Sequence, residues 1–148
     1  MSVNGFTERY DDVIAQAILE HGSSLGGLPA YLGIEFVDVG PGRLTARADL
    51  REDLITPSGN VHGGALAAIM DHVTGAVVYP LMPPGCWGAT TELKLNYVVP
   101  AKAGVVEAEA SVLAMTNRSA VVRGEIRAGD RLVCAAQGGI TIVRPRAS

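Results

Sequence analysis

The stretch from Asn60 to Val78 constrains this chain more than any other. Between Ala65 and Val78 the only charged side chain is Asp71, and the only other polar ones are His72 and Thr74. A helix that is apolar on nearly every side is a buried helix. An ionised carboxylate set into it is costly unless it is hydrogen-bonded. The pattern predicts a helix opening at His62-Gly63-Gly64 and ending before Pro80, Pro83 and Pro84, since proline cannot continue it. The rest of the chain is expected to wrap around it.

The 148 residues amount to one domain, with residues 1–30 as an N-terminal helix and connector. Hydrophobic residues make up 48% of the chain and charged ones 18%, enough to build a core. The net charge is −3 and no Lys/Arg run occurs, which argues against nucleic-acid and membrane-surface partners. Met1 to Tyr10 is polar and mixed in charge, unlike a secretory signal. The long apolar run from Ala65 to Met82 contains Asp71 and His72 and ends in prolines, so a membrane span is not expected. Cys86 and Cys134 stand alone, without metal-ligand spacing, and a reducing cytoplasm is the default location.

Read in order, Glu8 to His21 carries Val13, Ile14, Ala17 and Ile18 at helical spacing. Gly22 to Gly27 stops that helix. The loop lacks the Lys-Ser/Thr of a phosphate-binding loop and reads as a connector. Leu32 to Val39 is predicted as a strand. Arg43 to Leu50 alternates strictly, with Leu44, Ala46, Ala48 and Leu50 on one face. A loop with Pro57-Ser58-Gly59 leads to the helix. Four strands then close the chain. Thr91, Leu93, Leu95 and Tyr97 are expected to oppose Thr90, Glu92, Lys94 and Asn96. Val106, Ala108, Ala110 and Val112 mark the next inner face, then Val122, Gly124 and Ile126. Leu132 to Val143 is the last strand. Short turns between strands mean an antiparallel sheet with one wetted face. The expected fold is α+β: about six antiparallel strands around a central helix that is buried on all sides, plus an extra N-terminal helix. One curved sheet leaves a flank of the helix open, where a second subunit is expected.

Gly63 and Gly64 bring the unpaired N–H groups of a helix start within reach of a ligand. The helix dipole favours negative charge there, which suits a carbonyl oxygen gaining charge. The plainer alternative is that Ser58 or Asn60 caps the helix and the glycines permit a tight loop. Asp71 lies eight residues after Gly63, about 12 Å along a helix axis. One helix cannot bring both groups to one carbonyl. Two antiparallel copies crossing near Ala67 could, giving a two-fold dimer with two sites. The alternative for Asp71 is a buried carboxylate satisfied by Thr74 or by loop N–H groups. His62 reads as fixing the loop that enters the helix, with general base as its other possible role. His72 is expected to point away from Asp71, as a packing or interface residue. His21 suits the C-terminal end of its helix. These spacings form no zinc site, and no Gly-x-Ser-x-Gly elbow is present.

His62-Gly63-Gly64 followed by Asp71, on a helix between two strands and four, resembles the hotdog-fold acyl-CoA thioesterases of the PaaI-like (phenylacetate-pathway) group. Gly88 to Ala101 is similar to that family's next strand, with its Tyr-x-x-Pro-Ala ending. The likeness runs from about Gly33 to Val143. It implies that the Gly63 N–H polarises a thioester carbonyl. Asp71 of the facing subunit would be the nucleophile or general base, and Thr90 would orient the water or the acid. Gly64, Tyr97 to Lys102, and Asn117-Arg118-Ser119 would line the coenzyme A groove, with Lys102 and Arg118 meeting phosphates. Six residues before the His the family carries Asn or Gln. Here that position is Thr56, with Asn60 as a nearby substitute. No cofactor or metal is implied, coenzyme A being part of the substrate. A homodimer or a homotetramer built as a dimer of dimers is expected.

Two other readings compete with a thioesterase. One is a non-catalytic acyl-CoA-binding protein of the same fold. The other is a hydratase, whose catalytic His and acid are arranged differently.

Overall fold

The structure is a computed structural model and describes residues 4–146. Its helices are α1 (Asn4–Thr7), α2 (Asp12–His21), α3 (Gly27–Tyr31) and α4 (Gly63–Ala76). Its strands are β1 (Glu35–Gly40), β2 (Arg43–Leu50), β3 (Trp87–Tyr97), β4 (Gly104–Met115), β5 (Ser119–Ala128) and β6 (Arg131–Val143). The six strands form one antiparallel sheet in the order β1-β2-β4-β5-β6-β3. This is the sheet around a helix that the sequence pattern implied, and the hotdog fold that the resemblance implied.

The alternating residues of β2 behave as their period dictates. Leu44, Ala46, Ala48 and Leu50 are buried, as are Val106, Ala108, Ala110 and Val112 on β4. Side chains along the middle of the sheet are small. One row across it reads Leu44, Ala110, Gly124, Ala136, Leu95. That trough lets α4 lie close against the sheet. A Cβ on Gly124 would collide with the sulfur of Met70 and come within 3.0 Å of Thr74 Cγ2. Leu66, Ile69, Met70, Val73 and Thr74 face the trough at the i, i+3, i+4, i+7 spacing of one helix face. Fully burying each of the larger apolar side chains contributes about 1.5–3 kcal/mol.

The expectation that α4 is buried on all sides needs correction. Its outer stripe is open in the single chain, with His62, Gly64 and Asp71 exposed and Ala67, Ala68 and Gly75 half-buried. Composition hid this stripe because alanine and glycine occupy it where a solvent-facing helix would carry charges. Asp71 is therefore not a buried carboxylate held by Thr74. The Thr74 hydroxyl donates to the backbone carbonyl of Met70 at 2.8 Å and lies 3.3 Å from that of Asp71. The segment Gly63–Leu81 is 19 residues long and apolar enough to cross a bilayer by length and composition, yet half of it is buried within the fold. It is the core helix of this sheet.

The N-terminal region holds more structure than one helix and a connector. Helix α2 starts at Asp12, later than Glu8, because the Asp11 carboxylate caps it by accepting from the N–H groups of Val13 and Ile14. The glycine-rich connector contains a 3₁₀ turn over Gly22–Ser24 and then α3. Strand β1 begins at Glu35, not Leu32, because Leu32 to Ile34 still closes α3 through hydrogen bonds back to Leu28, Pro29 and Ala30.

Strand β3 also departs from simple alternation. Its pairing with β6 shifts between Thr90 and Glu92, so Thr91 is an extra residue in the ladder. The bulge puts Thr90 on the same, helix-facing side as Leu93 and Leu95. The sequence pattern had set it on the opposite side.

Candidate active site

Helix α4 runs antiparallel to β3, so each end of the helix meets a different end of the strand. A Cβ built on Gly63 would lie 3.3 Å from the Tyr97 ring, and one on Gly75 would lie 4.0 Å from Thr90 Oγ1. The candidate residues therefore divide into two groups at opposite ends of the molecule.

The first group surrounds the start of α4. His62 is the N-cap residue, and its Nδ1 accepts from the Gly64 N–H at 2.8 Å. The cap is thus His62 itself, in place of Ser58 or Asn60. The reason lies in the loop. Thr56 N–H and Oγ1 both donate to the Asn60 carbonyl, Ser58 Oγ contacts Thr56 Oγ1, and Ile55 and Val61 pair in an isolated bridge. That turn consumes the polar groups nearest the helix. The His62 N–H donates to Leu54 O and the Ala65 N–H to His62 O. Among the described residues, the N–H of Gly63 finds no protein acceptor, while those of Gly64 and Ala65 both turn back to His62. With the helix dipole behind it, this N–H is open to an acceptor from outside the chain, as the His-Gly-Gly pattern requires of an oxyanion donor. Tyr97 Oη donates to the Gly63 carbonyl at 2.9 Å, and Lys102 Nζ donates to the Gly59 carbonyl at 2.8 Å. Both side chains pin the entry loop to the end of β3. Thr56, His62 and Gly64 line a largely apolar cavity of about 490 Å³, together with Tyr31, Leu54 and Ile55. Asn60 does not line it, so Thr56 occupies the position that the resemblance assigns to Asn or Gln.

The second group lies one helix length away. Asp71, Gly75 and Thr90 share a cavity of about 390 Å³ with Phe36, His72 and Tyr79. Ala76 and Gly88 also line it, and the rest of its wall comes from α2 and the turn after it. His72 is the packing residue that was expected, though it borders the same cavity as Asp71. Its partner is Phe36 on β1, whose ring stacks on the His72 imidazole with centroids 5.2 Å apart and planes 27° from parallel. Burial pushes the His72 pKa below its ordinary 6.5, and the adjacent Asp71 charge opposes that shift only in part. Its Nε2 is buried and has no hydrogen-bond partner, which suits a neutral ring.

Beyond this cavity, the β4–β5 turn brings Asn117, Arg118 and Ser119 to the same end of the sheet. Thr116 Oγ1 accepts from the N–H groups of Arg118 and Ser119. Arg9 donates to Asn117 Oδ1 at 3.3 Å, and Arg144 to the Asn117 carbonyl at 3.5 Å. Three arginines thus gather at one turn, two of which the motif reading did not single out. Lys102 lies at the far end of the 12-residue β4 from Arg118. At about 3.3 Å per residue that is roughly 35–40 Å, too far for both to grip the same phosphates within one chain. Among the described residues, no three His, Cys, Asp or Glu side chains cluster as metal ligands would.

Comparisons with known proteins give the family and the fold. The profile described as the Thioesterase superfamily matches residues 58–135. Among curated relatives, the 1,4-dihydroxy-2-naphthoyl-CoA hydrolase of Listeria monocytogenes is 25% identical over 81% of this chain and 98% of its own. A conserved protein of Pseudomonas aeruginosa superposes with a TM-score of 0.78 at 30% identity, covering 84% of this chain and 99% of that one. A mutant of the phenylacetic acid degradation protein PaaI of Thermus thermophilus superposes with a TM-score of 0.70 at 26% identity, covering 78% and 96%.

Proposed function

The chain belongs to the thioesterase superfamily and is a thioester hydrolase; from that premise we propose that it hydrolyses acyl-CoA or aryl-acyl-CoA thioesters in a site shared between two subunits. The observation that carries this is the separation of the unpaired Gly63 N–H from Asp71 and Thr90, about 12 Å along α4. A second copy related by a two-fold axis beside α4 reverses the helix, so that Asp71 of one chain faces Gly63 of the other. Two features favour that copy. The outer stripe of α4 is small and open, and β3 is an 11-residue edge strand with only one paired side. A long bare edge is a template for another strand. One dimer then covers both surfaces and holds two sites, and a dimer of dimers is compatible with it.

In each site the thioester carbonyl oxygen accepts from the Gly63 N–H. As the carbonyl carbon becomes tetrahedral, the charge on that oxygen is held by the helix start, where no solvent reorganisation is needed. Asp71 of the partner acts on the carbon side. As general base it takes a proton from water while the water oxygen bonds to the carbonyl carbon. The C–S bond then breaks, the proton passes to the departing thiolate, and free acid and coenzyme A are the products. As nucleophile its carboxylate oxygen bonds to the carbon and expels the thiolate, and water cleaves the resulting anhydride. Thr90 orients the water or the carboxylate. Arg118, with Arg9 and Arg144 beside it, supplies charge for coenzyme A phosphates, where guanidinium forks bind well. Tyr97, Lys102, Asn117 and Ser119 line the approach. One relative is a hydrolase of a dihydroxynaphthoyl thioester and another a phenylacetic acid degradation protein, and both suit an aryl-acyl group here. Two free cysteines suit a reducing cytoplasm as the place of work.

The test is an assay of the purified protein against a panel of acyl-CoA thioesters, with Asp71→Asn alongside. Thiol release that disappears in the variant supports the proposal. Coenzyme A binding without turnover of any thioester would support a non-catalytic acyl-CoA-binding protein. Labelled water separates the two routes, because only a nucleophilic Asp71 can acquire heavy oxygen in its own carboxylate.

A further inference from the structure

The cavity over Asp71 is built in part by a segment outside residues 58–135, the stretch matched by the family profile. Ile18, Gly22 and Leu25, from α2 and its following turn, form one wall of it. Gly22 has φ −57° and ψ −34°, helical values that any residue adopts, so no backbone requirement explains a glycine there. Space explains it. A Cβ at this position would lie 2.6 Å from Cδ2 and 2.7 Å from Cε2 of Phe36. The missing side chain leaves room for the Phe36 ring, and that ring in turn stacks on His72 beside Asp71. At the rim, Leu25 is 82% exposed, a large apolar side chain with nothing over it in the single chain.

We propose that this N-terminal segment selects the acyl group, with Ile18, Gly22 and Leu25 walling a subsite for an aryl-acyl moiety and the Phe36–His72 stack lining it. The inference rests on the reading of Asp71 as the catalytic acid, because the subsite is continuous with that residue. A thioester carbonyl held at Asp71 has an acyl side and a coenzyme A side. The apolar cavity suits the acyl side, while the polar pantetheine arm and phosphates belong to the surface. Three of the cavity's side chains, Phe36, His72 and Tyr79, are rings, and aromatic groups pack favourably edge to face or offset on one another. At about 390 Å³ it falls at the small end of the roughly 300–1,000 Å³ seen for ligand pockets, room for one or two rings.

The experiment compares kcat/KM for acetyl-CoA, benzoyl-CoA and naphthoyl-CoA in the wild type, Gly22→Ala and Leu25→Ala. A methyl group at Gly22 drives the Phe36 ring toward the cavity. The ratio of naphthoyl-CoA to acetyl-CoA kcat/KM is expected to fall about tenfold, the usual effect of one methyl group in a fitted pocket. Leu25→Ala, at an exposed position with no folding role, is expected to raise KM for the two aryl thioesters relative to acetyl-CoA. If the wild type turns over these thioesters but both variants keep its acyl selectivity, this proposal is overturned and the catalytic reading stands. If the wild type hydrolyses other thioesters of the wider panel but neither aryl thioester, this proposal alone is overturned; if it hydrolyses no thioester at all, the catalytic reading falls and this proposal with it.

Discussion

The hydroxyl of Tyr97, at the end of β3, donates a 2.9 Å hydrogen bond to the carbonyl of Gly63, the first residue of α4. The same peptide position thus has its carbonyl engaged from the sheet and its N–H left open. Tyr97→Phe removes the tether, at a cost of about 0.5–1.5 kcal/mol for a lost hydrogen bond at an exposed site. Its activity should fall mainly through kcat, because the tether orients the donor and is not itself in contact with the acyl group. Steady-state kinetics with urea unfolding on the same preparation checks both.

Gly63→Pro deletes the proposed oxyanion donor without breaking the helix. Proline is well tolerated at the first helical position, where its missing N–H has no helical partner. His62 already has φ −60° and ψ 130°, the extended conformation required before proline. The Tyr97 ring, more than half exposed, can yield to the added atoms. A loss of about 10²–10³ in kcat is expected with little change in KM, the usual effect of removing one oxyanion donor. Retention of the wild-type circular dichroism spectrum shows that the loss is chemical.

Gly63→Pro and Asp71→Asn should complement each other. In a mixed dimer one site combines the intact Gly63 of one chain with the intact Asp71 of the other, and the second site is doubly broken. Random association then restores about a quarter of wild-type activity, since half the dimers are mixed and each has one good site. Mixing refolded or co-expressed chains and measuring thiol release gives the answer. Activity no greater than the sum of the two variants would place both groups in one chain's site.

Gly124→Ala tests the close approach of helix and sheet, and Gly138→Ala that of β6 to β3. The Gly124 substituent meets the flexible Met70 side chain, while that of Gly138 meets the backbone carbonyl of Glu92, which cannot swing away. Both should destabilise, within the about 1–3 kcal/mol typical of overpacking, with Gly138→Ala the worse of the two. Urea midpoints at constant m-value rank them.

His72 makes stability depend on pH. Its folded pKa lies below the ordinary 6.5, so below that pH the unfolded chain binds a proton that the folded chain resists. Stability should therefore decline as pH falls beneath about 6.5 and level off above it. His72→Gln should flatten that slope while keeping a polar side chain in the site. Glu125 acts in a lower window. The Arg127 hydrogen bond, aided by Arg123 and opposed by burial, holds its pKa below the ordinary carboxylate value, so its contribution disappears only under more acidic conditions. Urea midpoints across the two windows separate the residues.

The chain's own order of residues determined the fold to a large degree. The alternation of Leu44, Ala46, Ala48 and Leu50 could satisfy only a half-buried strand, and the single acid in an apolar helix could satisfy only a special position. The Gly63–Asp71 spacing implied two chains, because helical rise is fixed whatever the surroundings. Three things depended on contacts between distant parts of the chain. The bulge at Thr91 set which side of β3 Thr90 takes, because one extra residue in the ladder inverts a period-two pattern. The packing partner of His72 is a ring on β1, some 36 residues earlier in the sequence. The stripe of α4 left open to solvent is built from alanine and glycine, whose burial composition cannot specify. Local sequence carries periodicity and rise; which face meets which neighbour is a property of packing, and only the tertiary structure decided it.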